Sequence, residues 1–430
     1  MPPALPIARL RAALGGFSTG YWTFYAAAFC MDIGFGLFFF LFNLYLTDMR
    51  FDESVIGRAM ACLTLGNVAG TIPATILVRR HGLRPLLLIT FIAVPLLCIL
   101  RTMFLWLPAQ YGFAFLTGVA LCGWPICFSP AIAALTTTKN RAAGFSVAFA
   151  TGIGLGSLAG IAGGFLPRFF QSMLPDATLV DGIRIVLWMA CVLTILGVLP
   201  LLRLSFPRNP APRDPASPEK RTRIFHPFLF RFLPPFVLWN VVTGSFPVFG
   251  AVYLQKALGI PLTSLGAVFS GSQLLQFCAV LLAPLLFRRI GLSRGVAAAQ
   301  AVTAFFLVLI AVTRFAPFAV SFYLLYFAAQ YMCSPGIYNL LMDSVPEEER
   351  STASATQNLS GALCQAATQA VTGISIVAFG YKPVLFANAG AALIAALLFL
   401  GLKIQNTAVA QNSEHELFSS QPDLHIEKAL

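Results

Sequence analysis

Residues 203–228 read RLSFPRNPAPRDPASPEKRTRIFHPF, and this stretch decides the fold. Arg203, Arg208, Arg213, Lys220, Arg221 and Arg223 are interspersed there with Pro207, Pro210, Pro212, Pro215 and Pro218, a composition that stays solvated and extended. The rest of the chain is its opposite. Hydrophobic residues make up 58% of the 430 residues and charged ones 10%, against about 25% charged in ordinary soluble domains. A membrane helix consumes about 20 mostly apolar residues, so ~12 spans would absorb nearly the whole hydrophobic excess. Twelve apolar runs can be read, at 21–47, 55–78, 85–105, 110–136, 143–167, 182–202, 229–254, 263–287, 294–313, 317–342, 353–378 and 382–403. The basic stretch falls between the sixth and the seventh.

The expected fold class is therefore all-α: a polytopic membrane protein of 12 transmembrane helices in two pseudo-symmetric six-helix bundles. Its expected organisation is a leader over 1–20, an N-terminal bundle over 21–203, a linker over 204–228, a C-terminal bundle over 229–404 and a polar tail over 405–430. The leader carries Arg9 and Arg11 but no short apolar core with a cleavage site, so it reads as retained.

The net charge of +12 does not point to nucleic acid, because the basic residues sit in short runs between hydrophobic blocks rather than on a solvated patch. It reads as topology. The leader, the even-numbered loops, the linker and the C-terminus hold twenty of the 28 Lys and Arg residues, and the other face holds eight. By the positive-inside rule both termini are expected in the cytoplasm, in an integral protein of the cell (inner) membrane. All nine cysteines lie in apolar segments without metal-type spacing, and the four histidines lie in a loop, the linker and the tail. Neither a metal nor a cofactor is expected.

The two halves repeat. A shift of 209 residues aligns Gly57 with Gly266, Arg79-Arg80 with Arg288-Arg289, Gly82-Leu83 with Gly291-Leu292, Arg141 with Arg350, Gly152 with Gly361 and Gly164 with Gly373. Duplicated halves are a signature of alternating-access carriers.

Asp32 is the one acidic residue near the middle of a span, flanked by Phe29, Phe35, Phe38 and Phe39. A carboxylate there costs about 2.5 to 3.5 kcal/mol on insertion scales, so it must face water, find a partner or stay protonated. Two readings stand side by side: a hydrogen-bonded packing residue, or a proton site that switches charge as a cavity opens to one side and then the other. Other polar residues fall on helical stripes and supply candidate substrate contacts: Asn43 in the first span, Asn67 in the second, Asn240 in the seventh, Gln273 and Gln276 in the eighth, Tyr326 and Gln330 in the tenth, and Asn358, Gln365 and Gln369 in the eleventh. Spans 3, 6 and 12 are nearly bare of amides, Asn388 excepted. Any single amide can be interhelical glue, but the segregation by span favours a central wet path.

The two halves of six spans, the long basic linker and the loop between spans 2 and 3 together resemble the major facilitator superfamily across residues 17 to 404. That family's loop signature is Gly-x-x-x-Asp-Arg-x-Gly-Arg-Arg/Lys. Arg80, Gly82 and Arg84 match it, whereas Thr75, Arg79 and Leu83 stand where it has Gly, Asp and Arg. The glycines of the fifth span, Gly152, Gly154, Gly156, Gly160, Gly163 and Gly164, are similar to the drug-antiporter motif of the family, with Ile161 at its proline position.

The resemblance implies a secondary active transporter working by alternating access, not an enzyme. With Asp32 as proton-coupling residue, it would move a small neutral or cationic organic solute. Its partners would be that substrate, protons and membrane lipid, with no nucleic acid, and the chain would act as a monomer. A cytoplasmic gate is expected from Arg79, Arg80, Gly82, Arg84, Asp343, Glu347 and Arg350, with Arg79 or Arg80 pairing across the halves with Asp343, Glu347, Glu348 or Glu349. A membrane-embedded enzyme acting on a lipid-linked substrate and a carrier-like sensor that does not transport remain the alternatives.

Overall fold

The computed structural model describes residues 17–137, 140–206, 227–346 and 349–402. Twelve helices in it are long and apolar enough to cross a membrane: Thr19–Asp48 (α1), Glu53–His81 (α2), Leu83–Met103 (α3), Leu107–Leu135 (α4), Ala143–Met173 (α5), Leu179–Arg203 (α6), Pro227–Lys256 (α7), Leu262–Ile290 (α8), Leu292–Val312 (α9), Ala316–Ser344 (α10), Thr352–Phe379 (α11) and Tyr381–Leu400 (α12). Among the described residues there is no strand. In hydrocarbon no water can satisfy a backbone N–H or C=O, so each apolar segment must close its own hydrogen bonds and becomes a helix.

Most helices run past the apolar stretches read from sequence, because polar caps rather than hydropathy set their ends. Ser18 Oγ accepts from the Tyr21 N–H (3.2 Å) at the start of α1. Asp52 Oδ1 accepts from the Val55 N–H (3.0 Å) at the start of α2. Thr178 and Asp181 form a reciprocal capping box at the start of α6. The helix is interrupted at Cys122 within α4 and at Gly197 within α6. The leader before residue 17, most of the linker and the tail after residue 402 lie outside the described residues.

The halves are built alike. In the first, α1 packs on α5 and α6 while α2 packs on α4; in the second, α7 packs on α11 and α12 while α8 packs on α10. The repeat extends to single contacts. Gly82 and Gly291 end α2 and α8 with φ of 84° and 87°, a left-handed turn that other residues adopt only with strain. Arg141 donates to the Ala133 carbonyl (3.4 Å), and its counterpart Arg350 donates to the Met342 carbonyl (3.0 Å). Tyr45 donates to the Thr102 carbonyl (3.0 Å), and Tyr253, 208 residues later, donates to that of Ile310 (3.3 Å).

Between the halves run two seams, α2 against α11 and α5 against α8. A Cβ added at Gly57 would meet the Gln369 carbonyl at 2.3 Å, and one at Gly373 would meet the Glu53 carbonyl at 2.3 Å. In the other seam, a Cβ at Gly266 would lie 2.4 Å from the Gly160 carbonyl, and one at Gly164 would lie 3.0 Å from the Gly266 Cα. Gly57 and Gly266, and Gly164 and Gly373, are two of the pairs aligned by the 209-residue shift. Their shared function is close backbone approach.

Candidate functional site

The seams hold the halves together at one end of the molecule, where α1 finishes and α2 begins. At this Glu53 end, Lys256 Nζ lies 3.0 Å from Glu53 Oε1, and the Tyr381 hydroxyl donates to the same oxygen (2.9 Å). The Gln255 amide donates to Asp48 Oδ1 (3.4 Å) and that of Asn43 to the Val248 carbonyl (3.2 Å). Deeper, Thr64 donates to Gln369 Oε1 (3.0 Å), while Ser270 and Ser157 exchange bonds across α5 and α8. These cross-half hydrogen bonds lie between the middle of the spans and the Glu53 end.

The opposite, Arg79 end differs. Arg79, Arg80, Gly82, Asp343 and Arg350 are exposed there, and no cross-half ion pair or hydrogen bond joins them among the described residues. Arg84 donates to the Leu202 carbonyl and Arg350 to those of Met342 and Val345, so both tie together elements of their own half. Glu347 and Glu348 lie outside the described residues. Among the described residues Arg79 and Arg80 thus pair with neither Asp343 nor Glu349, and the described cross-half ion pair, Lys256 with Glu53, sits at the other end. Sequence reading missed it because Glu53 and Lys256 fall at the edges of apolar runs, where charges are ordinary.

Asp32 projects from the middle of α1 toward α5. It is half-buried, and a Cβ at Gly152 would stand 3.3 Å from its Oδ2. Among the described residues no hydrogen bond or ion pair holds its carboxylate, and burial alone acts on it. One turn along α5, a Cβ at Gly156 would stand 3.0 Å from the Gln273 amide nitrogen of the other half. The glycines of α5 therefore present bare backbone to Asp32 and to the inter-half seam together.

A cavity of about 310 Å³ lies within the C-terminal half, between α7, α10 and α11. Its lining includes Asn240, Gln330, Gln357 and Gln365 with the rings of Trp239 and Tyr331, and it carries no Asp, Glu, Lys, Arg or His. Asn240 donates to the Phe236 carbonyl (2.8 Å) and accepts from the Gln365 amide (3.0 Å), which also reaches Thr243 Oγ1 (3.4 Å). Gln330 Oε1 and both polar atoms of Gln357 are buried without a partner. Unpaired polar atoms cost stability unless something else satisfies them.

The expected contact residues thus separate. Asn240, Gln330 and Gln365 line the cavity; Tyr326 is buried outside its lining, its hydroxyl without a partner among the described residues. Asn43 and Gln369 serve the cross-half contacts instead. Asn67 and Gln273 are half-buried and Gln276 is buried, all three outside this cavity. Asn358 is exposed, and its neighbour Gln357 takes the inward position. Gln357 could have been found from its spacing: with Gly361 and Gln365 it forms an i, i+4, i+8 face, and a Cβ at Gly361 would stand 3.1 Å from Asn240 Oδ1.

The comparisons agree with this architecture. The family model described as Major Facilitator Superfamily matches residues 24–369 and 243–423. No curated protein matches the chain by sequence. Among solved structures the chain is similar to a bacterial metal transporter (TM-score 0.69, 16% identity, covering 90% of this chain and 98% of that one). It is also similar to the nucleoside transporter NupG (TM-score 0.68, 13% identity, 89% and 99%) and to a D-xylose-proton symporter (TM-score 0.66, 16% identity, 88% and 96%). At such identities the likeness is one of fold alone. With the model match spanning most of its length, the chain belongs to the Major Facilitator Superfamily.

Proposed function

We propose that the chain is a secondary active transporter that moves a small neutral or cationic organic solute by alternating access, coupled to protons through Asp32. The observation that carries this reading is the Asp32 carboxylate, which has no partner among the described residues and is set against the α5 glycines at mid-span, while the described cross-half hydrogen bonds lie on the Glu53 side of it. A carboxylate that water reaches from one compartment and then the other loads and releases a proton as the halves rock. The positive-inside rule supports a cytoplasmic Arg79 end, on which this conformation is inward-facing and both termini lie in the cytoplasm.

The solute class follows from the uncharged cavity of the C-terminal half. Trp239 and Tyr331 offer ring faces that suit an aromatic or cationic group, and the unpaired amides of Gln330 and Gln357 suit a solute carrying both a donor and an acceptor. With no cation on the lining, a phosphate ester lacks a counter-charge. The D-xylose-proton symporter that shares the fold couples an uncharged solute to protons.

A thermal-shift screen of solutes at two pH values identifies a ligand. Proteoliposomes with an imposed pH gradient then compare accumulation by the native protein and by Asp32→Asn. Undiminished gradient-driven accumulation in the variant rules out the proton role, and absence of solute flux by the native protein rules out transport.

A further inference from the structure

Arg101 projects from α3 into the N-terminal bundle and is 2% exposed. Its guanidinium sits over the Phe42 ring, 4.2 Å from the centroid, with the thiols of Cys62 and Cys98 nearby. Among the described residues no carboxylate pairs with it, and its Nε is buried without a hydrogen-bond partner. Arginine stays charged in proteins, and a buried charge without a counter-charge is strongly unfavourable; one ring face offsets only a part of that.

The fold itself does not require this cation. The 208-residue shift that superposes Tyr45 on Tyr253 puts Leu309 at the position of Arg101, so the C-terminal half builds the same corner from an apolar residue. Beside Arg101, Phe38, Phe42, Asn43, Met60, Cys98 and Thr117 line a space of about 10 Å³, the size that holds one water, and a halide is only slightly larger.

We propose that Arg101 and the cavity beside it form a buried site for a single monovalent inorganic anion of halide size. The anion supplies the counter-charge that no described residue provides, beside the Phe42 ring that the guanidinium covers. Asn43 lines the same cavity and bonds to Val248 across the halves, so the bound anion stiffens the Glu53 end as well as the N-terminal bundle.

The test uses the full chain in detergent, melted in sodium chloride or sodium gluconate at equal ionic strength. The native protein is expected to melt about 2 °C or more higher in chloride, saturably, with bromide replacing chloride and sulfate failing to do so. Arg101→Met is expected to lose the difference. Should that variant fail to fold, ³⁵Cl NMR line broadening by the native protein, relieved by bromide, gives the same answer without it. Equal melting in chloride and gluconate with no line broadening overturns the site. So does a sulfate effect equal to that of chloride, or a chloride shift that persists in Arg101→Met.

Discussion

Asp32 and Asn240 occupy matching places in the two halves. Each stands at the middle of the first helix of its bundle, and each faces a glycine, Gly152 or Gly361, that the repeat aligns. Their surroundings differ in one respect. Asn240 is held by Phe236 and Gln365 within a polar cluster, whereas Asp32 is held by nothing described. One scaffold position, used twice, thus gives a fixed neutral group that shapes a cavity and a loose ionisable group that can exchange a proton. On the proposed function, a difference of one side chain at this repeated position separates binding from coupling.

The strongest way to break this contrast is Asp32→Asn, which makes the two positions chemically alike. Gradient-driven accumulation in proteoliposomes is expected to vanish while solute exchange at equal pH on both sides persists. If exchange is lost as well, Asp32 does more than carry the proton.

A smaller effect is expected from the two glycines. Gly361→Ala places a methyl 3.1 Å from Asn240 Oδ1 and 3.2 Å from the Phe236 ring, in a packed corner, and overpacking of this kind costs about 1–3 kcal/mol. Gly152→Ala meets only the unheld Asp32 carboxylate at 3.3 Å. Melting temperatures should therefore fall for Gly361→Ala and hardly move for Gly152→Ala. Equal losses would mean that Asp32 is as tightly fixed as Asn240.

Smaller still is Gln357→Ala. A lost hydrogen bond of about 1 kcal/mol should weaken solute binding roughly fivefold, measured by titration at one pH, with dependence on the gradient intact. Loss of coupling in this variant would erase the division of labour between the halves.

The smallest effect concerns a carboxylate that does have partners. The Asp52 carboxyl, outside the spans, is held below the usual range by the Ser54 hydroxyl at 2.7 Å and then by the Val55 and Ser54 N–H groups. A lowered folded-state pKa adds stability above the unfolded value of about 3.9, and this is lost as pH falls through the folded one. The acid limb of a melting-temperature profile should flatten slightly in Asp52→Asn, which still caps α2. No such change is expected near neutral pH.

Much of the fold was readable from sequence because its signals are local. A basic, proline-rich break between two sets of apolar runs, and glycines recurring at one offset, survive without knowledge of any contact. Gly57, Gly164, Gly266 and Gly373 proved to be the residues of the two seams, so the repeat carried packing information as well as topology. The site was less readable. Whether Gln357 or Asn358 faces inward depends on about 100° of helix rotation, which a stripe of amides in an apolar helix does not define. The Lys256–Glu53 pair joins residues far apart in the chain, and Arg101 near a span end looks like any interfacial arginine until the bundle closes over it.

The seams have a consequence for how tightly the barrier seals. Where main chain touches main chain over an absent side chain, the fit is set by shape rather than by charge. Wear on such a bearing comes only from added atoms. Variation at these small residues therefore carries a steric penalty, at sites that have no chemistry of their own.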